Sequence, residues 1–236
     1  MKTYLQRPLK SLYCIVPIFL FGCTSSSDSD GIVEEQLPEK QIQLLKVSEV
    51  ILLGDEVFSE GYIEFTYGSN GFATMITASG GFSDEFTYND ADEITGVFHT
   101  NSDDTTYSIS YTYTNDLISS ANYDNGEVTN FTYQSNGLLI GLDGALFTYD
   151  QNGNITTIII NDEVTDSFLY DNQSNPFLLP YPLAYQKINR ISKNNVTYRA
   201  FGERNITYAY NADGYPIKSV YIDIGGFIKT REYSYN

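Results

Sequence analysis

The groups in this chain that could do chemistry are acids, phenols and one imidazole. His99 is the only histidine, so every triad or metal cluster that needs several imidazoles is excluded. Adjacent carboxylates are numerous: Asp84-Glu85, Asp92-Glu93, Asp103-Asp104 and Asp162-Glu163. A glycosidase needs two carboxyl groups at a set separation across one sugar, and these pairs would be its raw material. Their flanking sequence places them at turns, where acids keep a surface soluble, and His99 is likewise expected in a polar, solvent-exposed turn. Asp150-Gln151-Asn152-Gly153-Asn154 alternates oxygen-bearing side chains as a calcium loop begins. The distal Glu of such a loop is missing and strands flank the stretch, so a hairpin turn explains it better. No glycine-rich phosphate loop follows a strand. The expectation is a chain without catalytic residues, cofactor or metal, whose aromatic rings either form a core or stack on sugars.

Thiol chemistry is confined to the N-terminus. Lys2, Arg7 and Lys10 precede an uncharged apolar run from Leu12 to Phe21, which ends in Leu20-Phe21-Gly22-Cys23. The run is about half of the ~20 residues a bilayer span needs, so it reads as a signal peptide. Leu at −3, Gly at −1 and Cys at +1 resemble the lipobox of bacterial lipoproteins. That resemblance implies removal of residues 1–22 and acylation of Cys23, with the membrane as partner through the acyl chains. Cys14 lies in the removed segment, which leaves the folded body without a thiol. Residues 23–39 are short-sided and acidic, a composition that cannot bury a core and reads as a flexible tether. Acids this close to the Cys resemble the export signal of Bacteroidota lipoproteins, which implies an outer-membrane address and exposure at the cell surface.

The formal net charge is −17, and three of the thirteen Lys and Arg fall in the segment to be removed. A chain this acidic is not expected to bind nucleic acid. The charge is unevenly spread: no Lys or Arg occurs from Val47 to Gln186, whereas eight occur from Lys187 onward. Two readings stay open, a soluble acidic surface with a chance basic end, or a polar molecule suited to cation capture or head-to-tail contact.

The elements that must position these groups announce themselves by repetition. An aromatic-x-Tyr triplet occurs eight times, ending at Tyr67, Tyr88, Tyr113, Tyr133, Tyr149, Tyr170, Tyr210 and Tyr235. Strand alternation puts both aromatics of a triplet on one face and its central residue, usually Thr, on the other. Four triplets lead into Asn-Gly or Asp-Gly, at Asn70-Gly71, Asn136-Gly137, Asn152-Gly153 and Asp213-Gly214. These pairs supply the positive φ of two-residue hairpin turns, and a second apolar run follows each. The fold class is therefore all-β: a repetitive antiparallel hairpin meander over residues 40–236, forming one large twisted or curved sheet, with partial closure left open.

The stretch Phe147-Thr148-Tyr149-Asp150-Gln151-Asn152-Gly153-Asn154-Ile155 resembles the tyrosine-aspartate repeat of rearrangement-hotspot and teneurin-type proteins, in which such units build a spiralling sheet. The other copies keep the aromatic-x-Tyr but replace the Asp. The chain as a whole resembles lipoproteins of Bacteroidota with degenerate repeats of this kind, a pattern that includes Tyr170-Asp171-Asn172-Gln173-Ser174-Asn175-Pro176-Phe177 and Ser192-Lys193-Asn194-Asn195-Val196-Thr197. The resemblance implies a scaffold and carries no activity with it.

The meander is interrupted over residues 171–205, where prolines and half of the post-signal basic residues cluster. Phe177, Tyr181, Tyr185, Lys187, Arg190 and Lys193 are the candidate binding residues of this insertion. A long loop in a compact domain is commonly functional. The alternative is a structural cap over an open end of the sheet. The functional expectation is a non-catalytic surface platform for a protein or glycan ligand, or else a glycan-binding or glycan-processing accessory.

Overall fold

The computed structural model describes residues 41–236. Cys23, the signal peptide and the tether of residues 23–39 lie outside the described residues. Seventeen strands follow one another: β1 (Leu44–Leu53), β2 (Glu56–Tyr67), β3 (Ala73–Ala78), β4 (Ser83–Tyr88), β5 (Ile94–Thr100), β6 (Thr106–Thr114), β7 (Leu117–Tyr123), β8 (Val128–Asn130) and β9 (Thr132–Tyr133), then β10 (Leu139–Leu142), β11 (Ala145–Tyr149), β12 (Ile155–Ile160), β13 (Glu163–Ser174), β14 (Asn194–Arg199), β15 (Arg204–Tyr210), β16 (Pro216–Ile222) and β17 (Phe227–Tyr235). A single 3-10 turn (Pro176–Leu178) and a short helix, α1 (Leu183–Ile188), lie between β13 and β14.

Each strand except β8 pairs antiparallel with the next, and β17 returns to pair with β1, Tyr235 opposite Leu44 and Phe227 opposite Leu53. The one step without a ladder is β8 to β9. There a single stretch of chain bonds β7 through residues 128–130 and the Phe131 N–H (2.9 Å to the Ser119 carbonyl), then bonds β10 through residues 132–133. The meander is thus a nearly closed barrel with one unsealed seam, which removes the exposed edges an open sheet of this length would carry.

The triplets do what their alternation requires. Phe65, Phe86 and Phe147 are buried in the interior, while the central threonines exchange hydroxyl bonds outside, Thr87 with Thr95 at 3.0 Å and Thr148 with Thr156 at 2.7 Å. The marker tyrosines form a regular series. Seven donate the phenol O–H to a main-chain carbonyl at or next to the start of an earlier strand, the preceding one in every case but Tyr133, which reaches β7: Tyr67 to Leu44 (2.7 Å), Tyr88 to Ala73 (2.6 Å), Tyr113 to Ile94 (2.9 Å), Tyr133 to Ile118 (2.7 Å), Tyr149 to Leu139 (2.7 Å), Tyr170 to Ile155 (2.7 Å) and Tyr235 to Pro216 (2.7 Å). All seven accepting residues are buried. Each accepting residue adjoins a register shift in its ladder, and the phenol supplies a partner for its carbonyl. Burial pushes the phenols of Tyr113, Tyr133, Tyr149 and Tyr170 up to about 12, so they stay protonated donors. Tyr210 departs from the series: Tyr208 takes the main-chain carbonyl, that of Val196 at 3.0 Å, and Tyr210 donates to the Asp171 carboxylate.

The turns correct the sequence reading. In the four marked pairs only the glycine has positive φ (Gly71 81°, Gly137 76°, Gly153 85°, Gly214 80°). Gly71 N–H donates to the Gly68 carbonyl and Gly68 N–H to the Phe72 carbonyl, the pattern of a three-residue loop: a type I turn closed by a left-handed glycine bulge. Such a loop needs only one left-handed residue. Two-residue turns with both residues left-handed occur instead at Asn115-Asp116, Asp143-Gly144 and Asn161-Asp162.

The irregular stretch is shorter than the sequence suggests. β13 continues to Ser174 and β14 begins at Asn194, leaving residues 175–193 outside the wall. Its neck is clasped by Asn175, whose Nδ2 donates to the Ser192 carbonyl (2.9 Å), whose N–H donates to the Lys193 carbonyl (3.0 Å) and whose Oδ1 accepts the Phe177 N–H (3.1 Å). Beside it, Asn154 and Asn194 exchange side-chain and main-chain bonds at 2.9 and 3.0 Å. Asp171 accepts from the Asn195 N–H at 3.1 Å. The Asn-rich motifs on either side of the insertion are this clasp.

Candidate binding cavity

The insertion turns inward. Tyr181 and Tyr185 pack on Phe86, with ring centroids 5.7 Å away in each case, and Tyr185 also meets Tyr111 at 5.9 Å. The Pro180 carbonyl accepts the Ala73 N–H at 2.9 Å, tying the insertion to β3. Gln186 Nε2 donates to the Leu178 and Tyr181 carbonyls and holds the insertion's own shape. Phe177 lies on the opposite side, 6.5 Å from Tyr233. The six candidate residues therefore separate. Phe177, Tyr181 and Tyr185 all turn into the barrel, Phe177 toward Tyr233 and the two tyrosines toward Phe86. Lys187 and Arg190 flank β10 to β12, with Arg190 5.7 Å from the Phe147 ring and burial lowering the Lys187 ammonium pKa. Lys193 is exposed.

Where the insertion stands off from the wall formed by β12 to β17, two cavities remain, both bordered by Phe177, and the second also reaches Asp84 of β4. The first, about 320 Å³, is lined by Phe168, Phe177, Arg199, Arg204, Tyr208, Tyr221, Arg231 and Tyr233 among others. The second, about 600 Å³, runs along Tyr170, Tyr181, Tyr185, Arg190 and Arg199. Both lie within the ~300–1,000 Å³ range of small-molecule sites.

Strand alternation explains this lining. In β15 it sets Arg204, Ile206 and Tyr208 on the inner face, and in β17 Lys229, Arg231 and Tyr233. Arg199 Nε is paired with Asp166 Oδ2 at 2.6 Å. Arg231 and Lys229 share Glu49, at 2.7 and 3.2 Å. Burial would raise the Glu49 carboxyl, yet hydrogen bonds and charge from Arg231 and Lys229 hold it below the ordinary carboxylate range, so it is ionised. Arg204 has no carboxylate partner among the described residues. Its Nε is buried without a hydrogen-bond partner, unlike any other buried side-chain nitrogen or oxygen among the described residues. Its guanidinium carbon sits 5.5 Å from the centre of the Tyr221 ring.

His99 is not in a solvent-exposed turn but in β5. Its Nδ1 lies 2.5 Å from Asp84 Oδ1, its Nε2 lies 3.1 Å from Asn101 Oδ1, and Tyr107 stacks on the ring at 4.7 Å. Asp84 and Glu85 are consecutive strand residues on opposite faces, so they cannot grip one substrate together. The pairs at 92–93, 103–104 and 162–163 do sit in or beside turns. Asp150 Oδ1 accepts the Asn152 and Asn154 N–H groups, which spends it on the hairpin turn. Among the described residues no three His, Cys, Asp or Glu side chains gather as metal ligands would.

Sequence reasoning missed Arg199, Arg204, Arg231, Glu49 and Asp166. Part of the signal was legible: Arg204 and Arg231 fall on the same alternating register as Tyr208 and Tyr233. Glu49 and Asp166 do not line the cavity themselves and meet its arginines only through long-range strand pairing.

No protein-family model matches this chain, and no curated protein matches it. Among solved structures it is similar to a porin-like protein from Bacteroides uniformis, at 14% identity over 84% of this chain and 99% of that one, with a TM-score of 0.38. A porin-like protein from Bacteroides vulgatus is 14% identical over 82% of this chain and 98% of that one, with a TM-score of 0.41. The TcdB2-TccC3 structure is 17% identical over 77% of this chain but only 11% of that one, with a TM-score of 0.33.

Proposed function

We propose that the chain is a non-catalytic binding module, held at the outer membrane and facing the cell surface through a lipid on Cys23, which receives its ligand inside the barrel. The observation that carries this reading is the pair of cavities beside Phe177, bounded by a hydrogen-bonded wall on one side and a clasped insertion on the other. A wall closed by backbone bonds presents little free edge for strand addition, so a ligand is better met by side chains of the interior. The degenerate tyrosine-aspartate repeat supplies the wall and leaves the inner residues free to vary. Two experiments test this. Cys23→Ala should move the protein from the membrane fraction to the soluble fraction, and retention in the membrane would overturn the anchor. A thermal-shift screen of small polar ligands should find stabilisers that Tyr233→Ala abolishes, and stabilisers indifferent to that change would move the site elsewhere.

A second reading, a glycan-binding or glycan-processing accessory, is favoured by the rings of Phe168, Tyr208, Tyr221 and Tyr233 around one cavity. A glycan array without binding, together with no reducing sugar released, would discard it.

A further inference from the structure

Resting on the binding-module reading, we infer that the smaller cavity takes a carboxylate-bearing ring compound, of the chemical class of a uronic acid, with Arg204 as the group that recognises the carboxylate. Three guanidiniums line this cavity. Two have protein partners, Asp166 for Arg199 and Glu49 for Arg231, and Glu49 must also serve Lys229. Four cations thus face two carboxylates, and Arg204 is the one without a counterion among the described residues. This local excess of positive charge stands inside a chain whose net charge is −17. An unpaired, partly buried guanidinium costs stability that a plain structural wall would have no reason to retain, and its planar fork matches a carboxylate in two parallel bonds. Tyr208, Tyr221, Tyr233, Phe168 and Phe177 supply ring faces for an uncharged body attached to that carboxylate, while the Tyr208 and Tyr233 phenols are already bonded to Val196 and Ser219. The volume of about 320 Å³ fits a ligand of one or two sugar rings and leaves a bare ion poorly enclosed.

The test titrates the full chain with glucuronate, glucose and inorganic phosphate by calorimetry, alongside Arg204→Gln and Tyr221→Leu. Glucuronate should bind, glucose should bind at least about tenfold more weakly, and Arg204→Gln should lower glucuronate affinity about tenfold to a hundredfold. Without ligand, Arg204→Gln should melt at or above the wild-type temperature, because it removes an unpaired group. A lower melting temperature would make Arg204 structural and overturn the inference. So would phosphate binding as tightly as glucuronate, since the ring body would then be irrelevant. Tyr221→Leu should weaken glucuronate and leave phosphate unchanged, and equal loss of both would again overturn it. Equal binding of glucose and glucuronate overturns the charge assignment while leaving the binding module standing, whereas no binding of any of the three, nor of any ligand on a glycan array, overturns both.

Discussion

From β2 to β12 and from β14 to β17 the barrel repeats one hydrogen-bonding scheme but encloses opposite surroundings. The first wall has no Lys or Arg, and its inner face of Phe65, Ile76, Phe86 and Ile94 is filled by Tyr181 and Tyr185 from the insertion. The second wall carries Arg199, Arg204, Lys229 and Arg231 inward, and there the insertion leaves space. The tyrosine series reaches both, from Tyr67 to Tyr235, with the one departure at Tyr210 in the second wall. Because those bonds join a phenol to the backbone, they are indifferent to the inner residue at neighbouring positions. One wall can therefore be packed for stability and the other left charged, with the same strand pairing in each.

The largest expected effect tests the packed side. Tyr185→Ala should cost about 3–5 kcal/mol in urea unfolding, while Phe177→Ala, whose ring borders open space, should cost less than half as much. Equal losses would erase the distinction between the walls. Next comes the feature they share: Tyr88→Phe and Tyr149→Phe each strand a buried carbonyl and should cost about 1–2 kcal/mol apiece. A large loss for one and none for the other would show that the tyrosine series is not a common scaffold.

A smaller and pH-dependent effect belongs to the charged wall. The Glu49 carboxyl is held lower in the folded state than in the unfolded chain. Its stabilisation is therefore present above the ordinary carboxylate pKa and is lost as pH falls through the lower folded value. Glu49→Gln should melt below wild type at pH 7, and the gap should narrow as both are acidified beneath that range. A gap that stays constant with pH would assign the loss to packing. The smallest change is Lys193→Glu, at an exposed position, which should stay within about 0.5 kcal/mol of wild type.

Much of the fold was legible because it rests on local rules. Phe147-Thr148-Tyr149 declares a strand with one aromatic face, and Gly153 four residues on declares a left-handed position. The turn length was misjudged because Asn-Gly fits both a two-residue loop and the end of a three-residue one, and only the register of the following strand decides. His99 was misplaced because its Asp84 partner comes from the neighbouring strand. Closure was undetermined because nothing near Leu44 names Tyr235 as its neighbour. The aromatic residues of the insertion, expected to matter, are held inside the barrel. The cations that line the smaller cavity looked like a basic tail, since the carboxylates that neutralise two of them arrive from residues 49 and 166.

The pairing of β1 with β17 also sets the order of events as the chain folds. Hairpins between neighbours can form as soon as both strands exist, but β1 keeps one side uncommitted until residues 227–235 are available. Contacts of such long sequence separation form slowly, and a chain truncated before them would expose two unpaired edges, a route to aggregation. The finished ring brings its first and last described residues together, with Asn236 bonded to Gln41 and Gln43. A circular permutant that joins them by a short linker and opens at the Asn161-Asp162 turn should therefore keep the barrel while advancing the moment at which it can shut.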